Sequence, residues 1–427
     1  MRNGILSSII PKSSAGCQPL MQIIVCLFTD VFGVNEWSLR FPLFLFAILT
    51  LPLIYYITWR ITASKIQSFI ISALLCFHSY HIYYAFQMRG YAMIVFWSML
   101  SSYYLLRMLQ SPLQRKARNA YVIATVALVY THLFSIYFVI AQQIVLILLI
   151  LKNKLLNRDS VVAYFNTFLT TMLIIILLYI PQLPALAMNV LAENSNAQVH
   201  PDYFLQVMAG INYLVAYSDQ VFITTITGAI ILLLYIIIVK QDIANQILFL
   251  SSLLFIILTG LIPVNSGFYP RYLLCALPGF LFITSSVIIE LLKRSSLYFK
   301  TIAVLLFIGT IALNVSAYRN SYRVIQDYKG AVLFCHQQIK AGGVIAANSL
   351  GKTEVKWYDQ SIIPLDDKEQ LDSLIKKSND LYVITTYELF AGNGKFTNDK
   401  ATQAMIEQRL KLVKTFDGEY PVHVWKK

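Results

Sequence analysis

The chain has 427 residues, 57% of them hydrophobic and only 13% charged, with a formal net charge of +13 and a mean hydropathy of +0.63. That composition excludes a soluble enzyme built on one large core and defines a polytopic membrane protein. Most of the basic excess lies before residue 318, in loops between apolar runs, which argues against a nucleic-acid partner.

Taken in order, residues 1–15 are short and polar, without the charged and apolar regions of a signal peptide. Pro19 to Phe32 is apolar but carries Gln22, Thr29 and Asp30, and at 14 residues it predicts a helix lying in the membrane interface. Apolar runs of roughly 20 residues, the length a crossing helix needs, follow at about 41–59, 66–86 and 91–109. Asn119 to Leu151 is too long for one helix, and both its ends are basic. It predicts two short helices with Tyr130-Thr131-His132 at the turn. Further spans are expected at about 161–182, 221–239, 243–262, 271–292 and 299–317, giving about ten crossings. Between the spans at 161–182 and 221–239 lies a loop, 183–220, with a second interfacial helix expected at Tyr203 to Tyr217.

From about residue 320 the pattern changes. Short apolar stretches (Gly343 to Ala347, Leu381 to Thr385, Val422 to Trp425) alternate with charged, helix-like ones such as Lys329 to Lys340 and Asn398 to Val413. That alternation predicts a small α/β domain. The expected organisation is an outer interfacial segment (1–40), a transmembrane domain (41–317) and an α/β domain (318–427). The five cysteines show no CxxC or other metal-ligand spacing, so neither a metal nor a cofactor is expected.

Charge placement orients the chain. Alternate loops hold thirteen Lys or Arg, among them Arg60, Arg115, Lys116, Lys152 and Lys293, against five on the other side up to residue 317. By the positive-inside rule the first set is cytoplasmic. The Gln87-Met88-Arg89-Gly90-Tyr91 turn, the His132 turn, the start of the 271–292 span and the α/β domain then share the outer face.

Two outer arginines, Arg89 and Arg271, stand in loops with almost no other charge. His81, Tyr84, Gln87, Tyr91, His132 and Tyr272 lie near them in sequence or at the same expected depth. Guanidinium groups match phosphate oxygens bidentately, so two of them among aromatics at the membrane boundary suit a lipid-linked phosphate. Arginines and tyrosines also anchor helix ends in membranes, and that reading explains the tyrosines equally well.

Four segments together carry a resemblance: Gln18-Pro19-Leu20 with Phe28 to Pro42, then Tyr83 to Ala92, Tyr130-Thr131-His132, and Arg271-Tyr272-Leu273-Leu274 with Pro278. In order and spacing they resemble the polytopic C-type (GT-C) glycosyltransferases, specifically the bacterial relatives of protein O-mannosyltransferases and of the lipid A aminoarabinose transferase. The resemblance spans about residues 17 to 330. It implies a multi-pass protein of the bacterial plasma (inner) membrane that moves a sugar from a polyprenyl-phosphate carrier to a glycan, lipid or protein acceptor on the outer face. Arg89 and Arg271 would bind the donor phosphate, the other six residues would support them, and the α/β domain would be extracytoplasmic. Gln87 stands where that family often has Glu. The family's acidic catalytic motif lies upstream of the stretch that Gln18 begins, so the amino terminus reads as truncated and the chain, as given, as inactive. Asp30 and Glu36 are the acids left to consider as catalytic residues. A transporter or flippase, or a non-catalytic membrane protein that binds a lipid phosphate, is the alternative. A transporter should show repeat symmetry and helices broken at mid-membrane, and neither is visible in the sequence.

Overall fold

The computed structural model describes residues 18–152, 157–184, 203–217, 221–239, 242–261, 269–318, 326–348, 351–386, 397–418 and 421–427. The chain forms two compact units, Met1–Ser321 and Tyr322–Lys427. The first is helical: α1 (Pro19–Phe32), α2 (Glu36–Thr62), α3 (Lys65–Cys76), α4 (Ser79–Ala85), α5 (Tyr91–Gln110), α6 (Arg115–Thr131), α7 (Ile136–Lys152), α8 (Arg158–Tyr179), α9 (Tyr203–Val215), α10 (Val221–Ile238), α11 (Ile243–Leu261), α12 (Leu277–Leu292) and α13 (Leu297–Ser316). Eight helices among the described residues are long and apolar enough to cross a membrane. The protein is therefore a multi-pass membrane protein, and eight of the ten expected crossings are single long helices among the described residues.

The difference has local causes. The run expected to cross as one helix at 66–86 is broken at Phe77-His78 into α3 and α4, of 12 and 7 residues. Polar side chains buried at the break take over the backbone's partners. His78 Nδ1 accepts from the His81 N–H at 3.3 Å, and its Nε2 lies 3.1 Å from the Leu214 carbonyl. Asn314 Oδ1 accepts from both the Ser79 N–H (2.8 Å) and the Ser79 hydroxyl (2.9 Å). The Ser79 hydroxyl oxygen in turn accepts from the Tyr217 N–H at 2.8 Å. Asn314 also donates to the Val215 carbonyl at 2.9 Å. One node thus joins α4 to the ends of α9 and α13. The Asn119 to Leu151 run divides into α6 and α7 at His132, with the 17-residue α6 too short to count among the eight.

Several polar groups buried between helices are paired with one another, as an apolar surround favours. The Ser101 hydroxyl donates to Gln142 Oε1 at 2.9 Å and lies 3.0 Å from Thr125 Oγ1, and Gln142 Nε2 donates to Ser102 at 3.1 Å. This network ties α5, α6 and α7. The α12 helix is almost wholly buried, whereas α10 and α13 expose most of their apolar surface. Close approach of α11 to α12 rests on Gly279, where a Cβ would collide with the Ser252 hydroxyl and stand 2.8 Å from the Leu248 carbonyl.

The second unit is an α/β/α sandwich. Its helices are α14 (Tyr328–Gln338), α15 (Gly351–Tyr358), α16 (Lys368–Lys377) and α17 (Thr397–Arg409). Its strands are β1 (Val344–Ala347), β2 (Ile363–Pro364), β3 (Leu381–Thr386), β4 (Lys411–Phe416) and β5 (Val422–Lys426), in the order β2-β1-β3-β5-β4. β1, β2 and β3 are parallel, and β5 pairs antiparallel with β3 and β4. Residues Lys411 to Val413, expected to end a helix, begin β4 instead, because Lys411 and Leu412 pair with Lys426 and Trp425. Alternation along β1 and β3 sends Ile345, Ala347, Tyr382 and Ile384 into the layer with α14 and α15. Ala346, Leu381 and Val383 go to the opposite layer, with α16 and α17.

Gly279→Ala is expected to push α11 from α12 and destabilise the helical unit by about 1–3 kcal/mol. A lower melting temperature in detergent, against an unchanged Gly309→Ala control whose added methyl meets nothing within 4 Å, checks it.

Candidate functional site

Four distant segments meet at the turn between α4 and α5. Gly90 is the N-cap of α5 and has no side chain to satisfy the helix's first donors. Its N–H instead donates to Gln18 Oε1 at 2.7 Å. The backbone there also packs on the α6 turn so closely that a Cβ on Gly90 would stand 2.8 Å from Thr131 Cγ2. The Thr131 hydroxyl is held back on the Ala127 carbonyl at 2.7 Å, which leaves the methyl to make that contact. The glycine is required by space, with an ordinary φ of −69°.

From this contact an aromatic column runs across the site. Ring centroids are 4.6 Å apart for Tyr84 and Tyr91, 5.6 Å for Tyr91 and His132, 5.3 Å for His132 and Tyr272, and 4.5 Å for Tyr272 and Phe134. His132 Nδ1 accepts from the Phe134 N–H at 3.3 Å, capping the short 3-10 turn Leu133–Ser135. That bond assigns the neutral ring's proton to Nε2. Burial first, then the positive charges of Arg271 and Arg89, push the His132 pKa down to about 4. It is a neutral imidazole at physiological pH.

Arg271 lies in the 3-10 segment Pro270–Ala276, just before Pro278 re-starts the chain as α12. Its guanidinium carbon sits 4.0 Å from the centre of the Tyr269 ring, 5.7 Å from that of Tyr91 and 5.9 Å from that of Tyr272, a cation–π cage. Both Arg271 and Arg89 come within hydrogen-bonding reach of the Tyr91 side chain, and Arg271 within reach of Tyr84. Two cations 182 positions apart in sequence therefore converge on one phenol. Arg271 Nε is buried with no hydrogen-bond partner, and so is Gln87 Nε2.

Of the residues singled out from sequence, the structure brings Arg89, Arg271, Tyr84, Tyr91, His132 and Tyr272 together. His81 turns aside: it is buried with Nε2 3.4 Å from the Ala47 carbonyl of α2. Asp30 lies twelve residues along α1 from Gln18, roughly 18 Å at 1.5 Å per residue, and is exposed. Glu36 occupies the first turn of α2. The sequence reading did not anticipate the Tyr80–Tyr213–Tyr217 cluster, with centroids 5.1 to 5.2 Å apart, which lays α9 against α4. The i,i+4 spacing of Tyr80 with Tyr84, and of Tyr213 with Tyr217, was the available signal.

With this geometry the comparisons can be placed. The fold is that of the GT-C membrane glycosyltransferases, which the chain also resembles in its motifs. The family model described as dolichyl-phosphate-mannose-protein mannosyltransferase matches residues 13–195. Among solved structures, ArnT from Cupriavidus metallidurans in the apo state matches with a TM-score of 0.55 at 11% identity, covering 96% of this chain and 87% of that one. The same protein bound to undecaprenyl phosphate matches with the same values. No curated protein matches the chain.

Gln18→Leu removes the acceptor of a buried N–H, which costs about 1–3 kcal/mol, and should loosen the Gly90 turn. Faster hydrogen exchange at residues 88–92, with exchange on the α11–α12 pair unchanged, is the expected result.

Proposed function

We propose that the chain transfers a sugar from a polyprenyl-phosphate donor to an acceptor on the outer face of the membrane, with Arg89 and Arg271 holding the donor phosphate. The observation that carries this reading is the convergence of two guanidiniums on Tyr91, one of them with a buried, unpaired Nε donor. A phosphate accepts from such donors bidentately. The similar ArnT structure holding undecaprenyl phosphate and the mannosyltransferase match support both the carrier and the reaction class.

In the proposed reaction the acceptor oxygen forms a bond to the anomeric carbon as the bond from that carbon to the phosphate oxygen breaks. The leaving phosphate keeps the electron pair. Charge grows on it in the transition state, where the arginine pair is already fixed by its tyrosines, so little reorganisation is needed. His132, neutral and proton-bearing on Nε2, serves as a hydrogen-bond donor and adds no third cation. The acceptor's proton passes to a base. Asp30 and Glu36 are the acids to test for that role.

The outer-face assignment rests on the loop charges. The α13 helix ends at the level of Ser79 and Val215, the side from which α4 leads to the Arg89 turn, so the α/β unit is proposed to be extracytoplasmic. Single cysteines at positions 112, 200 and 350 test it. Only the first should resist a membrane-impermeant maleimide in intact cells, and labelling of 112 with protection of the other two would invert the arrangement.

For the site, Arg89→Ala and Arg271→Ala should each weaken polyprenyl-phosphate binding in nanodiscs by about ten- to a hundredfold, the equivalent of roughly 1.5–3 kcal/mol per charge-assisted contact. Lysine replacements should recover only part, because an ammonium lacks the bidentate fork. If an Arg60→Ala control on the opposite side weakens binding as much, or the outer pair has no effect, the arginines are membrane anchors.

A further inference from the structure

The α/β unit carries a buried polar group that its own fold does not use. Asn348 follows β1 directly. Its N–H continues the ladder to the Ile384 carbonyl at 3.0 Å, and the residue is only 1% exposed. Both the oxygen and the nitrogen of its side-chain amide lack any hydrogen-bond partner. Buried amides are paired as a rule, so a whole unpaired one needs an explanation.

Its position in the topology supplies one. From β1 the chain passes through α15 to β2 on one side, then through α16 to β3 on the other side of β1. The two helices lie on opposite faces of the sheet. The carboxyl ends of β1 and β3 therefore form a topological switch point, where open α/β sheets leave a crevice for ligands. Period-two alternation places Asn348 in the row of Val344 and Ala346, and Thr385 in the row of Leu381 and Val383, on the same face. Thr385 adjoins it on β3, and its hydroxyl oxygen accepts from Trp425 Nε1 of β5 at 2.9 Å. Asn348 and Thr385 thus stand side by side at that end of the sheet, and the Trp425 indole, whose backbone pairs with Val383, reaches along the face to Thr385.

The chemistry of the amide selects the ligand. A phosphate or carboxylate accepts from the two N–H groups but leaves the carbonyl oxygen unpaired. A metal ion does the reverse. Adjacent hydroxyl groups on a sugar ring both donate and accept, and satisfy the two halves at once. We infer that the crevice at the carboxyl ends of β1 and β3 binds a saccharide, with Asn348 as its anchor. The inference stands on the α/β unit alone and is independent of the arginine site.

The test uses the full chain in nanodiscs and saturation-transfer difference NMR with glucose, mannose, galactose, arabinose, N-acetylglucosamine and their disaccharides. Wild type should bind at least one of them saturably. Asn348→Leu, an apolar residue of similar size, should weaken that binding by at least about tenfold while its melting temperature stays equal or rises, because an unpaired buried amide is removed. Arg271→Ala should bind the saccharide as wild type does, which separates this site from the donor-phosphate site. Absence of saturable binding by every sugar overturns the inference. So does wild-type affinity in Asn348→Leu, or saturable binding of inorganic phosphate that depends on Asn348.

Discussion

The organisation of the helical unit depends on how closely the Arg89 and His132 turns approach each other. At Gly90 the backbone of one lies against the Thr131 methyl of the other, and the same peptide spends its N–H on Gln18. Nothing larger than hydrogen fits at that α-carbon without displacing one of the three segments. Once they are fixed, Tyr91 and His132 stack, and Tyr272 completes the row from a fourth segment. The arginines do not bring the segments together; they occupy a place that backbone packing has already made. This division suits a site for an anion, since two cations held near each other by mutual contacts alone would repel.

Elsewhere the helical unit follows a simpler economy. Polar side chains inside it are paired across helices, as at Gln142 with Ser101 and Ser102, and at Gln67 with Ser286. Others are left unpaired, among them Trp97 Nε1, Ser251, Thr259 and the Gln182 amide as well as Gln87 Nε2 and Arg271 Nε. What sets the Arg271 donor apart is that it belongs to a cation held by three tyrosine rings, a place that suits an anionic acceptor.

Much of this was legible in the sequence because apolar length and basic loops are one-dimensional signals. The runs at Tyr91–Gln110, Arg158–Tyr179 and Leu297–Ser316 needed only a count of residues. The convergence of Arg89 and Arg271 was readable through their shared expected depth. The break at Phe77-His78 was not, because its cause is Asn314, a residue in a different helix whose effect on Ser79 no local pattern reveals. The same holds for His81. Its nearness to Arg89 in sequence suggested a supporting role, but the ring turns to the Ala47 carbonyl. In the α/β unit, Lys411 to Val413 read as the end of a helix because the partner that makes them a strand, β5, comes later in the chain.

The bond between Ser79 and Asn314 also has a temporal side. The two residues are 235 positions apart, and Asn314 lies near the end of the last membrane helix. While the chain is being synthesised, the start of α4 must wait, with its N–H and hydroxyl lacking their final acceptor, until all the intervening helices have entered the bilayer. Val215, which Asn314 also bonds, waits with it. The segment leading into the Arg89 turn is thus locked by nearly the last residue of the membrane region to leave the ribosome. Gln18, Leu214 and Tyr217 can hold this stem earlier, and insertion of the final helix is the step that supplies the Asn314 acceptor and completes the node.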